Sequence, residues 1–325
     1  MRILITGADG MLGNNLVRLL LEAVHEVSVL IHPASKSWTL DGLKITKYAG
    51  NILISESLDE AFQNQEAVVH AAASTAVWPS RSEMVRKINM EGTRNVVEAV
   101  LRHKVGRMIY IGSGSSVNAP GAPDSRYKFP GAKYGLDYID SKYEALNFVL
   151  DAARNRGLPA LAVLPTFMIG PYDSLPGSGK MILALAKGKL KFYTRGGRNF
   201  IHVRDVATAI VNSLKMGEIG SYYIAGNENL TYQEFFAKVA GIVSKPAPKI
   251  LIADWLVKTV GLLGSLSGAV LKKEPLLTYP MARISCDKQY ISDEKCVAEL
   301  YMPQTNIDIA IRECYDWFVE NKYIK

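Results

Sequence analysis

The chain has 325 residues, 48% of them apolar and 21% charged, and a formal net charge of +7. That is globular composition with enough apolar side chain for a sizeable core, and the length exceeds the usual single domain. The basic residues read as spread along the chain with no dense Lys/Arg tract, which argues against a nucleic-acid partner and for a small-molecule one.

Short β-branched runs alternate with helical patterns through the first half. Met1–Ile5 runs straight into Thr6-Gly7, so the start reads as a buried strand (Arg2–Ile5) and not a signal peptide; a cytoplasmic location is expected. A helix follows over Leu12–Ala23, then strands at Glu26–Ile31 and Leu43–Tyr48, a helix around Leu58–Phe62 and a strand at Ala67–Ala71. Ser82–His103 predicts one long helix, Arg107–Ile111 a strand, Tyr138–Arg156 a helix and Leu158–Leu164 a strand. Alternation of this kind specifies an α/β fold, a parallel sheet covered by helices on both faces.

Beyond Pro171 the pattern loosens. Pro171–Gly179 predicts a loop, a helix starts near Lys180, Val206–Leu214 is helical, and Gly220–Ala225 predicts a strand that returns to the main sheet. Thr231 and Glu234 form a capping box. The expected architecture is a Rossmann fold with a smaller, mostly helical C-terminal substrate domain. Residues 1–170 and about 204–226 would bind the dinucleotide; about 171–203 and 227–325 would form the substrate domain. Leu251–Val270 is apolar but contains Asp254, Lys258, Gly261, Gly264 and Gly268, whereas a spanning helix needs about 20 cleaner residues. It reads as a helix or helix pair over a substrate cleft, with domain core and membrane-surface contact as alternatives. Cys286, Cys296 and Cys314 have no zinc spacing, so free thiols and no metal site are expected.

The clearest mechanism lies in Thr6-Gly7-Ala8-Asp9-Gly10-Met11-Leu12-Gly13, between the first strand and the first helix. Gly7 permits the tight turn, Gly10 lets backbone approach a pyrophosphate, and Gly13 admits close helix packing. The free amides at Met11 and Leu12 and the helix dipole then face phosphate. The second strand ends in Ile31-His32-Pro33-Ala34-Ser35-Lys36 with no acid to accept from a ribose. His32, Ser35 and Lys36 suit a 2′-phosphate, so NADP is expected, with NAD as the alternative.

Tyr138 and Lys142 lie one helical turn apart on one face. An ammonium beside a phenol favours the phenolate, so the pair suits proton transfer to or from a carbonyl-derived oxygen. With these stretches in order, the chain resembles an extended short-chain dehydrogenase/reductase. The resemblance rests also on Val68–Ala73, Asn89–Val96, Ile109–Ser116, Pro165–Pro171 and Phe200–Ala207. It is similar in texture to dihydroflavonol-4-reductase-like enzymes, 3β-hydroxysteroid dehydrogenases and hopanoid-associated sugar epimerase-like proteins.

The resemblance implies that Tyr138 is the general acid/base and Lys142 its partner, also reaching the nicotinamide ribose. It implies that Ser113 hydrogen-bonds the substrate oxygen, with Ser115 and Ser116 as alternatives of register. Asn89 would support the cofactor region or a relay water, or simply cap local backbone. Ala71, Ala72 and Ala73 would line the cofactor channel, Pro165 would pass the nicotinamide, and Asn51 with Ile52 would meet the adenine. A homodimer through two long helices is a family expectation. Two positions depart from the pattern: Gly50-Asn51 replaces Gly-Asp, and His32 replaces an Arg.

Three functions stay open at this point. A ketone or aldehyde reductase (or the reverse dehydrogenase) fits the apolar Leu251–Val270 stretch. A nucleotide-sugar epimerase or dehydratase fits Arg198, a loop arginine suited to a diphosphate. A non-catalytic NADP-binding regulator would not need Tyr138, Lys142 and Ser113 together.

Overall fold

The computed structural model describes residues 1–117 and 129–324. Its first half runs β1 (Arg2–Thr6), α1 (Met11–Glu22), β2 (Glu26–Ile31), β3 (Thr46–Ala49), α2 (Asp59–Phe62) and β4 (Ala67–His70). It continues through α3 (Glu83–Arg86), α4 (Gly92–Arg102), β5 (Arg107–Ile111), α5 (Asp137–Asn155), β6 (Ala160–Pro165) and β7 (Phe167–Ile169). Then come α6 (Lys180–Ala186), β8 (Phe192–Tyr193), β9 (Gly197–His202), α7 (Val203–Ser213), β10 (Tyr222–Ala225), β11 (Glu228–Thr231) and α8 (Tyr232–Val243). The chain closes with β12 (Ile250–Leu251), α9 (Asp254–Leu271), α10 (Tyr279–Cys286), β13 (Lys288–Gln289), α11 (Glu294–Leu300) and α12 (Ile307–Glu320).

Seven strands form one parallel sheet in the order β10-β6-β5-β4-β1-β2-β3. This is the Rossmann arrangement expected from the alternating pattern, and β10 returns to it beside β6 as predicted. Successive strand residues face opposite sides. Ile3 and Ile5 pack with Leu16 and Leu20 of α1 and Ile210 of α7, while Leu4 packs with Val97 of α4 and Val149 of α5. A fully buried Leu such as Leu16 contributes about 1.5–3 kcal/mol.

Because all seven strands are parallel, their C-terminal ends share one edge of the sheet. The chain order reverses between β1 and β4, and this crevice is where open α/β sheets take ligands.

The region beyond Pro171 is dominated by helices, as expected, but it also holds a second, mixed sheet not expected from the sequence, in which β9 pairs with β11, β13 and β7. Its strands are two to six residues long, and the shorter ones cannot show a period of two. The long helix predicted over Ser82–His103 is present as an unbroken helical run over 83–102, with a π-helical turn, Lys87–Glu91, between α3 and α4. The predicted capping box of α8 is present: Thr231 Oγ1 accepts from Glu234 N at 3.2 Å, and Thr231 N donates to Glu234 Oε2 at 2.8 Å.

Candidate active site

Each glycine of the first turn does something different. Gly7 has φ of +75°, and a Cβ there would sit 2.6 Å from Ala72 N and 2.8 Å from Ala71 C. A Cβ on Gly13 would lie 2.2 Å from Gly7 O, so α1 can pack this closely only without one. At Gly10 the nearest atom would be 3.5 Å away, and Gly10 N-caps α1 with no side-chain hydrogen bond. The amides of the first helical turn therefore lack a protein acceptor on the open side of the crevice, and no acid lies in that turn. The arrangement fits a dinucleotide pyrophosphate, and it puts Ala71 and Ala72 against the same turn.

At the end of β2, His32 and Lys36 are exposed, as a 2′-phosphate site requires. Ser35 is not free, however. Its hydroxyl donates to the Asp9 carboxylate of the glycine turn, which brings an acid to the strand end from a different element. Asn51 Oδ1 accepts from Leu53 N at 3.0 Å, so one of its lone pairs is taken. Ile52 packs its side chain against the Cα face of Gly92 on α4.

Below the crevice runs a directed chain of hydrogen bonds. Ala72 N donates to Thr6 Oγ1 at 3.2 Å, and Thr6 Oγ1 pairs with His70 Nδ1 at 2.8 Å. His70 Nε2 pairs with Thr93 Oγ1 at 3.1 Å, which itself donates to Asn89 O at 2.7 Å. Those roles assign His70 the neutral tautomer with its proton on Nε2. Burial, aided by the Lys142 charge, lowers its pKa to about 3, which agrees.

Asn89 lies in the π turn and joins three segments. Its Nδ2 donates to Ser74 O at 3.1 Å and Ser141 Oγ at 2.9 Å, and its Oδ1 accepts from Ser74 N at 2.8 Å. Ser141 Oγ in turn donates to Tyr138 O at 3.1 Å. Both amide hydrogens are thus engaged, and Asn89 positions the loop after β4 against α5. Arg81 does the same from outside, bonding Asp137 Oδ1 at 2.8 Å and Asp140 Oδ2 at 2.7 Å in the first turn of α5.

Tyr138 is partly exposed at the start of α5. Burial pushes its phenol above the ordinary value, opposed by the nearby Ser113 hydroxyl and by the charge of Arg198. Ser113 Oγ and Ser115 Oγ are 2.7 Å apart, so both hydroxyls face one point, while Ser116 is turned inward. Gly114 lets this turn sit on Pro165, whose carbonyl would lie 3.3 Å from a Cβ.

Lys142 is almost wholly buried. Its Nζ donates to Ile111 O at 2.6 Å and lies 4.8 Å above the Tyr110 ring, and burial lowers its pKa to about 7. The Arg198 charge also acts on the Tyr138 phenol and lowers its pKa. Arg198 is not a loop residue: it lies on β9, with Nε donating to Tyr232 OH at 3.1 Å and Nη1 to Gln289 Oε1 at 2.7 Å. It stacks 4.8 Å from the Phe167 ring, and among the described residues no carboxylate pairs with it. Spacing along a helix pointed to Lys142; only the fold brings β9 to face α5.

The other side of Tyr138 is apolar. It packs against a cluster containing Tyr134, Leu136, Ile139 and Ile284, with Val77 and Met281 alongside. Met281 and Ile284 come from α10, which α9 covers.

A family model, described as the NAD dependent epimerase/dehydratase family, matches residues 3–226. The chain belongs to that family. As a member of the epimerase/dehydratase family it is an NAD(P)-dependent enzyme of the extended short-chain dehydrogenase/reductase type. It is 31% identical to a putative dihydroflavonol 4-reductase of Synechocystis sp., over 99% of this chain and 95% of that one. It is 27% identical to sterol demethylase protein B of Methylococcus capsulatus, over the full length of both. Among solved structures it is similar to gox2253, with a TM-score of 0.86, 28% identity and 99% of each chain covered.

Proposed function

We propose that the protein is an NADP-dependent reductase or dehydrogenase that interconverts a carbonyl and an alcohol on an apolar substrate. The observation that carries the reading is the setting of Tyr138: a phenol held protonated by burial, with Ser113 on one side and an apolar wall on the other. The partly exposed Val77 and Met281, packed on the same cluster as Tyr138, present apolar surface that suits a hydrocarbon body and offers sugar hydroxyls no partner. Similarity to a sterol demethylase protein supports the same substrate class.

When bound at the glycine turn, the dinucleotide supplies or accepts the hydride. Tyr138 gives its phenolic proton to the oxygen on which negative charge develops, or removes that proton in the reverse direction. Ser113 donates a hydrogen bond to the same oxygen, and Arg198 stabilises the phenolate left behind. Lys142, anchored on Ile111 O, keeps remaining donors for a ribose hydroxyl. The apolar wall excludes water from the reacting carbon.

One observation favours a second reading, a nucleotide-sugar epimerase: Arg198 has two of its five N–H donors engaged, and the rest are free for a diphosphate. The two are separated by incubation with NADPH and a panel of apolar ketones, aldehydes and nucleotide sugars. Net loss of NADPH with a ketone is expected. Inversion of a sugar carbon without net loss would establish the second reading instead. Tyr138→Phe should lower turnover by about 10²–10⁴-fold with dinucleotide affinity unchanged; full activity in that variant would remove Tyr138 from the chemistry.

A further inference from the structure

The helix α9 exposes many large apolar side chains, and it is long and apolar enough to cross a membrane. Only 17% of it is buried. The buried part is a stripe: Val257, Gly261 and Gly268, with Gly264 between them. These glycines bring the helix backbone against the start of α10 and its approach, where a Cβ on Gly261 would lie 2.9 Å from Thr278 O and one on Gly264 2.1 Å from Leu277 O. A Cβ on Gly268 would meet the Trp78 ring at 2.9 Å. α9 is thus packed along one side against α10, its approach and Trp78.

The opposite side carries Trp255, Leu263, Leu266 and Val270, each more than half exposed. At its N-terminal end the strand β12 pairs with β8 and adds exposed Phe192, Ile250 and Leu251. A continuous apolar face of this extent is unusual on a soluble monomer.

Charge decides what the face meets. Residues 187–195 and 245–276 contain nine Lys and Arg, including Lys191, Lys249, Lys272 and Lys273, against two acids, Asp254 and Glu274. Their excess of seven equals the +7 of the whole chain, so the remaining residues are formally neutral. The even spread read from the sequence is therefore wrong at the level of net charge. Apart from Lys258 in its second turn, the cations lie beyond both ends of a helix about 27 Å long: around β8, before β12 and just past Leu271. Apolar side chains along the middle with lysines at the ends match a helix lying in the plane of an anionic bilayer surface.

We infer that α9 and the β8/β12 ribbon form a monotopic docking face for anionic phospholipid membranes. This stands independently of the substrate reading, because it uses none of the residues around Tyr138. The full chain should float with vesicles of phosphatidylcholine containing one quarter phosphatidylglycerol and bind pure phosphatidylcholine at least tenfold less. Raising salt from 50 to 500 mM should weaken binding by a similar factor. Leu263→Glu/Leu266→Glu and Lys272→Glu/Lys273→Glu should each lower vesicle binding about tenfold or more with unchanged thermal melts, while Lys44→Glu/Lys215→Glu elsewhere should not. Absence of binding to the anionic vesicles overturns the inference, as does binding that survives Leu263→Glu/Leu266→Glu. So does a solution dimer that the same double substitution dissociates, because the face would then be covered by a second copy.

Discussion

The Ser35 hydroxyl, at the end of the second strand, hydrogen-bonds the Asp9 carboxylate of the glycine turn. An acid therefore stands at the end of β2, near His32 and Lys36, the residues expected from the sequence to suit a 2′-phosphate. A carboxylate near a phosphate dianion is repulsive, and the Lys36 ammonium opposes it. Asp9→Asn should raise the NADP-to-NAD preference by about tenfold, and Lys36→Glu should lower it by a similar factor. Titrating cofactor-free protein with each dinucleotide reads both. A preference for NAD by more than tenfold in the native chain would remove the 2′-phosphate argument.

Gly10 and Gly13 should behave oppositely despite lying three residues apart. Alanine at Gly13 meets Gly7 O at 2.2 Å and Ala8 Cα at 2.6 Å, so the variant should lose about 3 kcal/mol or more of stability. Alanine at Gly10 has room in the free protein and should stay within about 1 kcal/mol of native, yet bind the dinucleotide at least tenfold more weakly. Denaturant melts and cofactor titrations distinguish the two. Equal losses of stability would mean that Gly10 also serves packing.

Arg198→Met removes one of the two influences that lower the Tyr138 pKa and leaves burial, which raises it. Alcohol oxidation needs the phenolate, so the acid limb of its kcat/KM profile should move to higher pH, with a several-fold loss at neutral pH. Carbonyl reduction uses the phenol, and its alkaline limb should move the same way. An unmoved profile would show that Arg198 acts on substrate alone.

Lys142 is held neutral more readily than in the unfolded chain, its pKa lowered from 10.5 to about 7 by burial. Between those values the unfolded chain binds more protons, so stability rises with pH from about 7 to 10.5. Below about 7 both states are protonated and the full burial penalty is present. Lys142→Met should therefore stabilise the cofactor-free protein at pH 6, on the order of 1–3 kcal/mol after loss of the bond to Ile111 O, and flatten the slope above pH 7. Its activity should fall at the same time. Thermal melts across this range test it, and an unchanged slope would assign the titration elsewhere.

The parallel sheet and the glycine turn were legible because both are local. Buried parallel strands are continuous apolar runs such as Ala67–His70, and Gly10 and Gly13 answer to contacts within a few residues, while Gly7 needs glycine for its φ of +75°. What escaped depends on chain reversal. Asp9 and Ser35 lie 26 residues apart, and Arg198 meets the field of Tyr138 from another sheet. β9 opens on Gly197-Arg198-Asn199, which has neither an apolar run nor an alternation, and that is why Arg198 read as loop. The Tyr138–Lys142 spacing was read correctly as one face, but burial directs the ammonium to Ile111 O.

The π turn at Lys87–Glu91 has a consequence at the level of the gene: it is equivalent to a one-codon insertion retained inside a helix. Removing one residue there would restore regular pairing and improve the segment as a helix. It would also turn Glu83–Arg86 by about 100° relative to α4 and take Asn89 from between Ser74 and Ser141. A deletion scan should find chains that fold and bind dinucleotide but whose tyrosine no longer has its support. The extra residue makes a poorer helix and a better-anchored Tyr138.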